Sequence, residues 1–120
     1  MKVLIAGGGR TGAQLARFLI SQNHDVTIVE DRKEVLSRIH RELPTEMIVE
    51  GNPISPQILE DAGIRSANVL AAVTTSDETD LVLCYIARKR YGVRRTIARV
   101  NNPRDAWLFT EQFHVDVAVN

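Results

Sequence analysis

Short apolar runs alternate along this chain with segments whose apolar residues recur at helical spacing. Val3 to Ala6 is the first run, and its β-branched members suit a strand from about Lys2 to Ala6. Leu15, Ala16 and Leu19 then share one helix face, which predicts a helix from about Thr11 to Gln22. Asn23-His24 turns the chain into a second strand, Asp25 to Glu30. Asp31 is placed to cap the next helix, with Glu34 three residues on completing a capping-box pattern. Val35, Leu36, Ile39 and Leu43 lie on one side of that helix, and Pro44 follows its end. A third strand covers about Glu46 to Glu50, ahead of a turn at Gly51-Asn52-Pro53. Ser55 as N-cap and Pro56 at the first helical position open a short helix. Its apolar face is Ile58, Leu59 and Ala62, and Gly63 suits its C-terminal cap.

The second half repeats the alternation. Ala67 to Val73 is a fourth strand, and Thr75 or Ser76 caps a long helix carrying Leu81, Val82, Tyr85 and Ile86, closed by Gly92. A fifth strand runs from about Arg95 to Val100. Asn102-Pro103 opens a further helix with Ala106, Phe109 and Phe113 on its apolar face, and Val115 to Val119 is a sixth strand. Strands alternating with helices predict one α/β domain over residues 1–120. Its expected form is a Rossmann, doubly wound, six-stranded parallel sheet of order 3-2-1-4-5-6, with helices on both faces. The strand order reverses between strands one and four. Ligands in such sheets bind beyond the carboxyl ends of the strands at that reversal. The groups placed there are Gly7 to Gly12, Glu30, Gly51-Asn52, Thr74-Thr75 and Arg99.

Composition narrows the classes. The 120 residues carry 15 basic and 15 acidic side chains, so there is no electrostatic case for nucleic acid or an anionic membrane. The one cysteine, Cys84, excludes an internal disulfide and fits a reducing compartment. Lys2 leads directly into a strand, unlike a signal peptide, and no apolar stretch approaches the roughly 20 residues of a membrane helix. A soluble domain is expected, with a membrane partner still open.

The candidate chemistry begins at Gly7-Gly8-Gly9-Arg10-Thr11-Gly12. In a strand–turn–helix, the first glycine of GxGxxG permits the turn, the second lets the backbone approach a pyrophosphate, and the third lets helix and strand pack closely. The helix N-terminus offers unpaired N–H groups to an anion. Alone, the motif is weakly specific. Glu30 ends the second strand 18 residues after Gly12, where an acidic side chain accepts hydrogen bonds from adenosine ribose hydroxyls. The same carboxylate repels a 2′-phosphate, so NAD(H) is preferred to NADP(H). Arg32 qualifies that preference, because an arginine just beyond the strand can serve a 2′-phosphate; Glu30 and Asp31 also favour the next helix N-terminus. Arg10 is either a solvated loop residue or a phosphate ligand, in its own subunit or a neighbour's. Arg99 either binds phosphate bidentately or pairs with Asp77 or Glu78. Asp77, Glu78 and Asp80 suit the dipole of the long helix. Tyr85-x-x-x-Lys89 matches a dehydrogenase spacing but sits mid-helix, turns away from the strand ends. His24, His40 and His114 fall in unrelated elements without metal-ligand spacing, and Cys84 reads as a small buried hydrophobe.

Taken together, Val-Leu-Ile-Ala-Gly-Gly-Gly-Arg-Thr-Gly12, Val-Thr-Ile-Val-Glu30, Val-Glu-Gly-Asn52, Ile-Leu-Glu-Asp-Ala-Gly-Ile64, Val-Thr-Thr-Ser-Asp-Glu78 and Ile-Ala-Arg-Val-Asn-Asn-Pro103 are much more specific than the glycines. They resemble the RCK or KTN nucleotide-binding domain that regulates potassium channels and transporters, above all the N-terminal domain of Trk-type uptake regulators. The resemblance covers nearly the whole chain. It implies a cytoplasmic sensor without catalysis, peripheral to the inner face of the cell membrane. Such a sensor binds NAD(H) or ATP/ADP, forms a homodimer or higher ring, and gates a membrane-embedded potassium transporter or channel subunit. By the same resemblance Gly51 and Asn52 lie at the adenine and Thr74 lies near the phosphates or second nucleoside, with Arg10 and Arg99 reaching phosphates. Two positions depart from the family pattern: Asn52 stands where Asp is usual, and Asp80 where Asn is usual. Family members normally continue into a second lobe. The competing reading is an NAD-dependent oxidoreductase domain lacking its substrate domain.

Overall fold

The computed structural model describes residues 1–120. Six strands, β1 (Lys2–Ala6), β2 (Asp25–Glu30), β3 (Ile48–Glu50), β4 (Val69–Ala72), β5 (Arg95–Arg99) and β6 (Val117–Val119), form one sheet of order β3-β2-β1-β4-β5-β6. Every pairing is parallel. The α-helices are α1 (Arg10–Ser21), α2 (Lys33–Glu42), α3 (Pro56–Asp61) and α4 (Asp77–Lys89). The architecture and strand order are those expected from the sequence.

Both faces of the sheet are covered, because successive strand residues point to opposite sides. Val3 and Ile5 of β1 pack with Val26 and Ile28 of β2 under Ala13 and Ala16 of α1 and Ile39 of α2. Leu4 and Ala6 pack on the other side with Leu70 of β4, Leu59 of α3 and Leu83, Cys84 and Ala87 of α4. Each core is continuous, and the central strands are apolar on both faces because both faces are covered.

Two expectations are corrected. The apolar face of α4 is not Leu81-Val82-Tyr85-Ile86. Asp80, Leu83, Cys84 and Ala87 are buried, whereas Val82 and Tyr85 are 44% and 55% exposed. The buried face lies on the opposite side of the helix from the expected one, roughly 180° away. The small side chains of Cys84 and Ala87 then lie in the same core as Ala72 and Ala98, which allows close helix–sheet approach. The Ser76 hydroxyl, not Thr75, fixes this phase by accepting the Thr79 N–H at 3.2 Å.

The helix expected after Asn102-Pro103 is instead two 3-10 segments, Pro103–Leu108 and Glu111–Phe113. Asn102 does cap the first, accepting the Arg104 N–H. Of the three residues expected to face the core only Phe109 is buried; Phe113 is 40% exposed. A short helix without a full apolar stripe lacks the packing that sustains it. The segment is anchored by Phe109, Val115 and a polar clamp in which Asp116 accepts both the Thr96 N–H and the Arg88 guanidinium. The strand limits are also tighter than expected at β3, β4 and β6, with Thr45–Met47 forming a 3-10 turn before β3.

Candidate functional site

The carboxyl ends of β1, β2 and β4 open onto a cleft of about 180 Å³, lined in part by Gly7, Glu30, Asp31, Arg32, Asn52, Thr74 and Thr75. These residues come from four separate loops, so the strand-order reversal brings them together, as expected. The glycine loop is built tightly. Gly7 has φ +113°, a left-handed value, and a Cβ there would meet the Val73 carbonyl oxygen at 2.7 Å. A Cβ on Gly12 would fall 1.9 Å from the Gly7 carbonyl oxygen, so helix α1 sits directly on the turn. Gly9 is the N-cap of α1, which has no side-chain cap and no acidic residue in its first turn. Its leading N–H groups are therefore unclaimed by any side chain, as an anion site requires.

Glu30 is 3% exposed and is the most heavily engaged group of the cleft. Its Oε1 accepts from the Gly8 N–H at 2.7 Å and the Arg32 Nη2 at 3.0 Å. Its Oε2 accepts from the N–H groups of Asp31 and Arg32 at 3.0 and 2.8 Å and from Arg32 Nε at 3.0 Å. Burial pushes the Glu30 carboxyl up, but the Arg32 guanidinium and the Arg32 and Gly8 N–H groups outweigh it and hold the group at about 2. Glu30 is thus a permanent anion. It also replaces the expected Asp31 capping box: the N-cap of α2 is Arg32, and no side chain caps it.

Thr74 presents a second polar edge. Its N–H and hydroxyl both donate to Asp80 Oδ1, at 3.0 and 2.6 Å. Asp77 is a staple rather than a free acid. It accepts the N–H groups of Asn101 and Asn102 at 2.7 and 2.9 Å, and Asn101 Nδ2 reaches the Thr74 carbonyl at 3.1 Å. Burial opposes its charge, yet those backbone donors keep Asp77 below the usual carboxylate range.

Other expected site residues are placed differently. Gly51 makes room for Ile58, whose side-chain carbon would lie 2.5 Å from an added Cβ, and is not part of the cleft lining. The Asn52 side-chain oxygen accepts the Ile54 N–H, so it shapes its own loop while bordering the cleft. Arg99 makes no salt bridge with Asp77 or Glu78; its Nη1 lies 3.4 Å from Thr11 Oγ1 at the start of α1. Arg10 lies in a separate recess with Arg17, Arg38 and Glu42. Sequence reasoning missed Arg38, which donates to the Gly8 carbonyl at 2.6 Å, because nothing in its helix distinguishes it from a surface arginine. It also read Asp80 as a helix-dipole residue, although the departure from Asn there was a signal.

A glycine turn under an uncapped helix, an ionised carboxylate at the end of the second strand and a hydroxyl edge across the reversal are arranged at the switch point of a Rossmann-type fold. A family model described as the TrkA-N domain matches residues 3–120, and the chain belongs to that family. The Trk system potassium uptake protein TrkA of Mycobacterium tuberculosis is 34% identical over 120 residues, covering 100% of this chain and 54% of that protein. The TrkA homolog of Methanothermobacter thermautotrophicus is 41% identical over 103 residues, covering 86% and 47%. The chain therefore spans about half the length of the curated relatives it matches. Among solved structures, the GsuK channel bound to NAD superposes with a TM-score of 0.79 at 25% identity, covering 98% of this chain and 21% of that one. GsuK has also been solved bound to ADP. No helix here is long and apolar enough to cross a membrane.

Proposed function

We propose that this domain is a nucleotide sensor that regulates potassium transport. It binds NAD(H) in the cleft, with ATP or ADP as the alternative ligand. The observation that carries the reading is the Glu30 carboxylate, buried at the mouth of the glycine loop and held ionised. Two of its five donors belong to the half-exposed Arg32 side chain. That guanidinium presents two N–H groups in the manner of a ribose diol, and adenosine displaces it by offering two hydroxyls in its place. The pyrophosphate then meets the N–H groups at the start of α1, with Arg99 and Thr11 beside it. Asn52 borders the adenine, and Gly51 supports that loop by making room for Ile58 beneath it. Arg10, in its own recess, is directed to a phosphate held by a neighbouring subunit.

The TrkA relatives and the NAD and ADP complexes of GsuK support this reading. In the cell the domain sits in the cytoplasm against a membrane-embedded potassium transporter or channel subunit, as a homodimer or larger ring. A ligand that binds one arrangement of that assembly better biases it by the difference in affinity. The domain acts without catalysis of its own. Tyr85, the tyrosine of the dehydrogenase-like spacing, lies outside the cleft, edge-on to His114 on the surface.

A thermal-shift panel of NADH, NAD+, NADPH, ATP, ADP and AMP tests the reading. A ligand at a hundred times its Kd adds about 2.7 kcal/mol to the unfolding free energy. NADH is expected to stabilise more than NADPH. Stabilisation by ATP and ADP alone would replace the NAD assignment, and no stabilisation by any of them would refute a nucleotide site.

A further inference from the structure

The one buried side-chain polar atom without a hydrogen-bond partner is Asp80 Oδ2, and it lies directly behind the cleft. Asp80 itself is fully buried. Its other oxygen takes both the N–H and the hydroxyl of Thr74, which lines the cleft. We propose that Asp80 is a positioning residue of the nucleotide site and carries a proton when the anionic ligand is bound, so that binding takes up a proton from solvent. This rests on the nucleotide reading above and adds to it the regulation of that site by pH.

The geometry supplies the reason. A carboxylate with one oxygen sealed from water and unpartnered is far costlier than a neutral carboxyl in the same place. Protonation at Oδ2 leaves Oδ1 free to accept from Thr74, so the loop keeps its shape while the charge beneath it disappears. The charges facing Asp80 are few. Asp77, on the same helix, opposes its ionisation, and Arg99, from β5, favours it. Cys84, one turn on, is uncharged, its thiol pushed up to about 12 by burial first and by Asp80 second. Burial outweighs the Thr74 donors and leaves Asp80 at about 7. Arg99 has no carboxylate within ion-pair distance. A phosphate beside Thr11 draws on Arg99 and adds its own negative charge, and both effects favour the proton on Asp80. No histidine shares this role: His24 meets the N-terminus, His40 meets Thr45, and His114 meets Tyr85.

The test follows the Thr74 amide by NMR between about pH 6 and about pH 8.5, with and without saturating NAD+, in the wild type and in Asp80→Asn. NAD+ is the probe because its pyrophosphate keeps its charge across that range, whereas a terminal phosphate does not. The wild-type amide is expected to titrate with a midpoint near neutrality that NAD+ moves upward. NAD+ affinity is expected to fall by up to about tenfold per pH unit above the free-state midpoint. Asp80→Asn, which fixes the neutral form, is expected to lose the Thr74 titration and to bind NAD+ with no slope. A midpoint that NAD+ leaves in place while the Gly8 and Asp31 amides respond overturns the coupling. So does a pH slope that survives in Asp80→Asn. If no cleft amide responds to NAD+, the NAD assignment falls and the coupling as stated with it. The wild-type titration decides the matter by itself even where the variant folds poorly.

Discussion

Gly12→Ala is expected to lower stability by at least about 3 kcal/mol, seen as a fall in Tm of roughly 10 °C or more. The cause is backbone, not side chain. The added Cβ would lie 1.9 Å from the Gly7 carbonyl oxygen and 3.0 Å from its carbon. Neither can give way, because Gly7 is pinned in turn by its N–H to the Val29 carbonyl at 2.9 Å and by Val73 behind it. Helix α1 must therefore lift off the sheet, stripping Ala13 and Ala16 from the core shared with Val3 and Ile5. Against a total of about 5–15 kcal/mol for a domain, this is a large share. Gly92→Ala is the contrast. It has φ +64° with nothing within 4 Å of its Cβ, so only the left-handed conformation is charged against it, about 1 kcal/mol. Urea unfolding of the two variants separates the cases, and equal losses would mean that close approach at Gly12 is not what the motif requires.

Glu30→Gln is expected to damage both stability and binding. The amide keeps the size of the carboxylate but turns one acceptor into a donor. That donor then faces either Gly8 and Arg32 Nη2 or the Asp31 and Arg32 N–H groups. The pH dependence gives the scale. The Glu30 carboxyl is held at about 2 against 4.5 for an unperturbed group, so the unfolded chain binds its proton first as pH falls. Its stabilisation, about 3 kcal/mol, is fully present above about pH 4.5 and disappears as pH falls toward 2. Glu30→Gln is expected to remove that much at neutral pH and to flatten this part of the acid-unfolding curve. NADH affinity should fall about ten- to a hundredfold, because a charged acceptor for the ribose is lost. A variant that keeps wild-type acid sensitivity would show that Glu30 is not the buried anion of the cleft.

What could be read from the sequence was what short-range chemistry controls. Strand order, the glycine turn, the Ser55 cap and the placing of Glu30 all follow from residues within a few positions of one another or from the alternation of elements. Ser55 indeed accepts the Ile58 N–H, with Pro56 at the first helical position. The face of α4 was misread because large side chains such as Val82 and Tyr85 suggest a core face more strongly than Asp80 and Ala87 do. Close packing against Ala72 and Ala98 rewards small side chains instead, and Asp80 goes inside because Thr74 meets it. The final helix was misread because Ala106 and Phe113 have no core to face. For Arg10 and Arg99 the residue types were suggestive, but the direction of a side chain is set by tertiary packing that no local pattern encodes, and Gly51 is claimed by Ile58 for the same reason.

The central claim is that a nucleotide seats its adenosine ribose on Glu30 by displacing Arg32. The direct measurement is a crystal structure of this chain with NADH. The account predicts ribose hydroxyls on the Glu30 carboxylate, the Arg32 guanidinium swung away with the Gly8 and Arg32 N–H bonds retained, and the pyrophosphate on the first turn of α1 beside Thr11. A dinucleotide bound anywhere else, or in the cleft with the Glu30–Arg32 pair intact, would contradict it.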